Sequence, residues 1–156
     1  MKLRITAAEG TPMYLTINGT TVGRNGNNRV RSDVQIVQFF LRKFYEQQPY
    51  VRKLAGITEI KIDGIAGPTT AKGILWFQKA NEGSGKSITA DGLVNVMAPS
   101  GVSATKHTVY TIVHLNVYFR KQGQGKEHYQ NLERHPDIIA YAPELHAELS
   151  GQKFLD

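Results

Sequence analysis

The sequence predicts a mainly α-helical fold with a β-hairpin at its N-terminus and extra helices at its C-terminus. Three observations predict it. Apolar side chains recur at spacings of three and four over residues 33–47 and 68–81, prolines stand where helices would begin at Pro68 and Pro143, and the clearest short β-branched runs lie within residues 2–17.

The hairpin is expected from residues 2–6 and 13–17, two partly alternating runs separated by Glu9-Gly10-Thr11-Pro12 and followed by Asn18-Gly19. Residues 23–29 contain no apolar side chain and read as a loop. A first amphipathic helix is expected over about 33–47. Ser32 is placed to cap it, Asp33 favours its first turn, and Val34, Val37, Leu41 and Phe44 form its apolar face. Pro49 and Gly56 then bracket a turn or a short helical piece.

Pro68 suits the first position of a second helix over about 68–81, which should bury Ile74, Phe77 and Ala71. Residues 82–87 read as a flexible loop. Gly83-Ser84-Gly85-Lys86-Ser87 resembles a phosphate loop only superficially, because the preceding glycine is missing and no strand leads in. Residues 105–121 fit two periods: Val109, Thr111, Val113, Leu115, Val117 and Phe119 alternate like a strand, while 109, 112, 113, 116 and 117 would share a helical face. The length of the run favours a helix. After the loop at Gly123–Gly125, a polar region leads through Pro136 to a last helix that starts near Pro143 and carries Leu145 and Leu149.

With 156 residues, 40% of them apolar and 21% charged, the chain suffices for one core. It divides into the hairpin and loop (1–31), a helical core (32–121) and a C-terminal helical extension (122–156). The absence of cysteine excludes a disulfide framework and a thiolate metal site. Residues 1–10 form no apolar signal region, so no secretory signal is visible and synthesis in the cytoplasm is expected. The most apolar stretch, Val109–Phe119, is too short to span a bilayer. The net charge of +6 is concentrated early, at +3 for residues 1–30 and +2 for 31–60. Arg24, Arg29, Arg31, Arg42, Lys43, Arg52 and Lys53 supply it without any recognised nucleic-acid motif, so a solvated basic surface is expected rather than nucleic-acid binding.

The most specific feature is an internal repeat. Ile60-Lys-Ile-Asp63-Gly64-Ile65-Ala66 and Ile88-Thr-Ala-Asp91-Gly92-Leu93-Val94 share one pattern at an offset of 28 residues. Each Asp-Gly suits a turn in which the aspartate accepts local backbone hydrogen bonds and the glycine takes positive φ. With Gly67, Pro68, Thr70, Ile74, Phe77 and Gln78 at their spacings, and Val34, Val37, Gln38 and Leu41 before them, residues 32–95 resemble the peptidoglycan-binding-domain family. The chain departs from that pattern at Gly73, where alanine is usual, at Asn95, where the second repeat has glycine, and in lacking a second Pro-x-Thr. The resemblance implies a three-helix core and a non-catalytic module binding cell-wall peptidoglycan, through its glycan or its stem peptide, without a cofactor. The glycine- and asparagine-rich loop before the first helix looks similar to small bacterial proteins of phage or secretion systems. The alternative is therefore a protein–protein adaptor that reuses the scaffold and meets its partner through the C-terminal extension. Action at the wall would need export by another route.

The resemblance places ligand contacts at Asp63, Gly64, Gly67, Thr70, Trp76, Asp91 and Gly92, with Thr70 in a helical first turn whose N–H groups lack partners. The same aspartates and glycines also serve as turn formers, and Trp76 serves equally for stacking on a ligand or for core packing. No catalytic or metal set is expected. His107 and His114 are seven apart, as are His128 and His135, which on a helix is about 10 Å. Ser84, Ser100 and Ser103 lie without a diagnostic elbow, and Glu144 and Glu148 read as a solvated face.

Overall fold

Four helices of the computed structural model open on a proline, at Pro49, Pro68, Pro136 and Pro143. The structure describes residues 2–4, 14–17, 21–83, 88–95, 110–121 and 129–151. Strands β1 (Lys2–Arg4) and β2 (Tyr14–Thr16) pair antiparallel with Leu3 opposite Leu15, giving the expected hairpin a shorter ladder. Helix α1 (Arg31–Gln47) ends one residue before Gln48, which precedes Pro49 and is held out of the helical region at φ −125° and ψ 66°. Pro49 then opens α2 (Pro49–Ala55), the short helical piece. Helix α3 (Pro68–Gly83) starts at the anticipated proline, and α4 (Thr111–Lys121) resolves the two-period run in favour of a helix.

Four features differ from the sequence reading. Val22–Gly23 (β3) and Leu93–Val94 (β4) form a second antiparallel ladder, two residues a side, where no strand was expected. The region through Pro136 holds a 3-10 turn (Tyr129–Arg134) and a helix, α5 (Pro136–Tyr141), before α6 (Pro143–Gly151). Ser32 does not cap α1: the helix begins earlier, its N-cap is Val30, and the serine hydroxyl donates instead to Glu148 at 2.6 Å. Glu144 is solvent-exposed as expected and Glu148 only partly so, and both also reach across to α1. Glu144 accepts from the Gln35 amide at 2.7 Å, and Gln35 Oε1 in turn accepts from the Leu145 N–H at 2.9 Å. The Gln35 amide, its own backbone N–H and the Arg31 guanidinium at 3.2 Å hold the Glu144 carboxyl below its ordinary range. Of the loop expected at 82–87, Glu82 and Gly83 instead continue α3 to its end, while residues 84–87, the loop at 123–125, the hairpin turn and residues 105–109 lie outside the described residues.

Helix α1 is buried on all sides from Ser32 to Leu41, because α3 and α4 cover one flank and α6 the other. Val34, Val37, Leu41 and Phe44 join one core with Ile74 and Phe77 of α3, Ile112, Leu115 and Phe119 of α4, and Leu145 and Leu149 of α6. Aromatic edges organise it. Phe44 meets Tyr45, Phe77 and Tyr118 with centroids 4.8–4.9 Å apart, and Phe119 meets Phe39 and Phe40. The glycine at position 73 has a packing reason. A Cβ there would stand 3.1 Å from Ile60 Cδ1 and 3.6 Å from the Tyr45 ring, and the Tyr45 hydroxyl donates to the Gly73 carbonyl at 2.6 Å. Burial raises the Tyr45 phenol above its ordinary pKa, so it remains a donor.

Three of the early cations are paired with carboxylates of the fold. Arg42 pairs with Glu46, Glu59 and Asp137, Lys43 with Glu46 and Asp137, and Arg31 with Glu144. Partial burial alone would raise the Asp137 carboxyl, but Lys43 at 2.6 Å together with Arg42 brings it below the usual range. Among the described residues no helix is long and apolar enough to cross a membrane.

Candidate functional site

A primary amide carries a donor and an acceptor on one planar group, and the fold uses that property twice. Gln38, buried on α1, accepts the Asp63 and Gly64 N–H groups at 3.1 and 2.9 Å. Its Nε2 donates to Asp63 Oδ1, the Ile65 carbonyl and the Thr70 hydroxyl at 2.9–3.1 Å. Gln78, buried on α3, accepts the Asp91 and Gly92 N–H groups at 3.1 and 2.8 Å. Its Nε2 donates to Asp91 Oδ1, the Leu93 carbonyl and the Thr111 hydroxyl at 2.9–3.2 Å. Each aspartate also accepts the N–H two residues on, from Ile65 or Leu93, and the glycines sit at φ 74° and 75°. The two units are copies of one device, in which a helical glutamine locks an Asp-Gly turn and the threonine that opens the next helix.

Thr111 therefore fills the role for which no second Pro-x-Thr was found. The glutamine-to-threonine separations are almost equal, 32 and 33 residues, although the turn lies 25 residues from the first glutamine and 13 from the second.

The turns differ in what covers them. The first is closed by Arg31, whose Nη2 donates to the Asp63 carbonyl at 2.8 Å and whose guanidinium packs on Gly64. A depression of about 240 Å³ remains beside it, lined by Asp63, Ile65, Gly67, Thr70 and their neighbours. The second turn borders a groove of about 560 Å³. Pro68, Ala71 and Leu75, three positions on one face of α3, form its apolar wall, with Ala90, Asp91 and Gly92 opposite. Ala71, expected in the core, faces this groove. Arg24 and Lys72 stand at its edge, both exposed and neither in an ion pair among the described residues. Arg24 is positioned by its backbone: its N–H donates to the Gly92 carbonyl at 3.1 Å, next to the β3–β4 ladder. The loop that carries it is fastened by Asn28 at φ 53°, whose side chain accepts from the Gly23 N–H and donates to the Gly23 and Gly26 carbonyls.

The anticipated site residues are thus divided. Asp91 and Gly92 border the larger groove, and Asp63, Gly67 and Thr70 the smaller depression. Gly64 is buried under Arg31. Thr70 is only 5% exposed and its hydroxyl is engaged by Gln38, so it belongs to the locking network rather than to an open rim. Trp76 is half-buried against the core, with Lys79 Nζ 5.1 Å above its ring, and does not line either groove. Sequence reasoning missed Lys72 and Leu75, and weighed Arg24 only as part of a basic surface. A signal for the glutamines was present, because each stands at the same place in its helix motif.

His135 Nδ1 accepts the Asp137 N–H at 3.1 Å and caps α5. His107, His128, Ser84, Ser100 and Ser103 lie outside the described residues. Among the described residues no three histidine, aspartate or glutamate side chains are grouped to hold a metal ion.

Because Asp63 Oδ1 serves only its own turn and Gln38, Asp63→Ala is expected to lower stability by about 0.5–2 kcal/mol, as the loss of a cap does. Urea unfolding of the variant and the parent would check this, and an unchanged unfolding midpoint would contradict it.

No family model, curated protein or solved structure matches the chain.

Proposed function

We propose that this protein is a non-catalytic module that binds bacterial peptidoglycan in the groove between α3 and the second Asp-Gly turn. The observation that carries the reading is the groove itself, open beside one of two otherwise equivalent locked turns and edged by Arg24 and Lys72, neither of them in an ion pair among the described residues. The motif resemblance over residues 32–95 supports the same reading.

Co-sedimentation with purified sacculi tests it. A substantial fraction of the protein should pellet at about 0.15 M salt, where exposed charges are screened over roughly 8 Å, and no soluble muropeptides should be released. Complete loss of binding at that salt would instead indicate nonspecific attraction by surface cations.

A second reading, a protein–protein adaptor, is favoured by exposed apolar side chains. Tyr50 and Leu54 stand one turn apart on α2 at 73% and 53% exposure, and Ile139 and Tyr141 on α5 are more than half exposed in the C-terminal extension. Protein that leaves sacculi unbound at every ionic strength would turn the assignment to this reading.

A further inference from the structure

We propose that the groove takes the anionic stem peptide of peptidoglycan rather than its glycan strand, with Arg24 and Lys72 seating two carboxylates. The proposal rests on the cell-wall reading and names the part of the polymer recognised.

Three observations point to a peptide. The first is charge. Arg31, Arg42 and Lys43 are committed to carboxylates within the fold, whereas Arg24 and Lys72 converge on one groove without an ion pair among the described residues. Asp91 is the only acidic residue among the described residues lining that groove, and its Oδ1 is already held by the Leu93 N–H and the Gln78 amide. The cations outnumber it, and an anionic ligand is attracted.

The second is the wall. Pro68, Ala71 and Leu75 offer a narrow aliphatic surface with Ala90 opposite, matching short alkyl groups such as alanine methyls. The third is what the lining lacks. A sugar ring presents C–H faces that favour an aromatic platform, and none of the described residues lining the groove is aromatic. Trp76, the single tryptophan, lies against the core with Lys79 over its ring. A chain of small residues bearing separated carboxylates meets both the apolar wall and the two cations, as the stem peptide does.

The test measures binding of the full chain to three soluble probes: a synthetic stem tetrapeptide with free carboxylates, the same peptide with its carboxylates amidated, and glycan strands stripped of peptide. The free tetrapeptide should bind, and amidation should weaken it about tenfold or more. The double variant Arg24→Ala/Lys72→Ala should lose a similar factor while unfolding like the parent, since both side chains are exposed. Equal affinity for the free and amidated peptides, or an unaffected double variant, would overturn the proposal.

Sedimentation with native and peptide-stripped sacculi separates the two levels of inference. Retention on native sacculi alone supports both. Equal retention on stripped sacculi defeats the stem-peptide assignment and leaves the cell-wall reading standing, while retention on neither removes both.

Discussion

Gln78→Ala is expected to destabilise the protein by about 3–5 kcal/mol, far more than the loss of an exposed amide would. Gln78 is fully buried and meets five partners: two N–H groups, one carboxylate oxygen, one carbonyl and one hydroxyl. Truncation leaves the Asp91 and Gly92 N–H groups inside the protein without an acceptor, at roughly 1–3 kcal/mol for each buried group left unmade. The companion variant Gln78→Glu separates hydrogen bonding from volume. It keeps an acceptor for the two N–H groups but turns a second carboxylate oxygen toward Asp91 Oδ1 and the Leu93 carbonyl, where the amide donated. Burial among acceptors raises the pKa of the introduced carboxyl above its unfolded value, so the ionised form is disfavoured in the fold. The penalty should therefore grow as pH rises above about 4 and shrink as the group protonates and can donate again. Urea unfolding of both variants and the parent at neutral pH and near pH 4 would show this. A Gln78→Ala midpoint equal to the parent's would mean that the network does not hold the fold together.

Gly23→Ala is the second large effect, expected at about 2–5 kcal/mol. Gly23 sits at φ +127°, and a Cβ there would lie 2.2 Å from the Gly92 carbonyl oxygen and 3.0 Å from Ile74 Cδ1. Because the nearest atom belongs to the backbone of the partner turn, no side-chain rotation relieves the clash. The β3–β4 ladder must open and Arg24 must move with it. On the cell-wall reading proposed above, sacculus binding should fall by more than the loss of folded protein explains. Gly67→Ala is the control. No atom lies within 4 Å of its added Cβ, and its stability should stay within about 0.5 kcal/mol of the parent. Thermal unfolding of the pair would check the contrast, and equal midpoints for the two variants would contradict it.

The helices were legible where a local rule fixes them. Pro68 and Pro143 mark the starts of α3 and α6, the spacing of Val34, Val37, Leu41 and Phe44 shows a face of α1, and both Asp-Gly turns stand where the repeat places them. The rest depends on partners distant in sequence. Ser32 is a good cap by residue type, yet its hydroxyl finds Glu148 across 116 residues, a choice that no local pattern encodes. The ladder of Val22–Gly23 with Leu93–Val94 is too short for alternation to register. Thr111 was hidden because twenty residues, not seven, separate it from its aspartate. Of the candidate groove, the Asp91-Gly92 side was visible as a motif. Arg24 and Lys72 come from separate elements, and only the packed chain brings them together.

The grip of α6 on the first turn of α1 also bears on the order in which the molecule can be completed during synthesis. Gln35 waits for Glu144 and Leu145, 109 and 110 residues later, and Ser32 waits for Glu148. A nascent chain that has passed α4 has made both Asp-Gly units but still exposes one flank of its central helix, including the surface later covered by Leu145 and Leu149. Loop closure over such a span is entropically slow. Final consolidation therefore belongs to the period after residues 144–149 have left the ribosome, and until then the unfinished flank is the surface on which a chaperone, or another unfinished chain, would act.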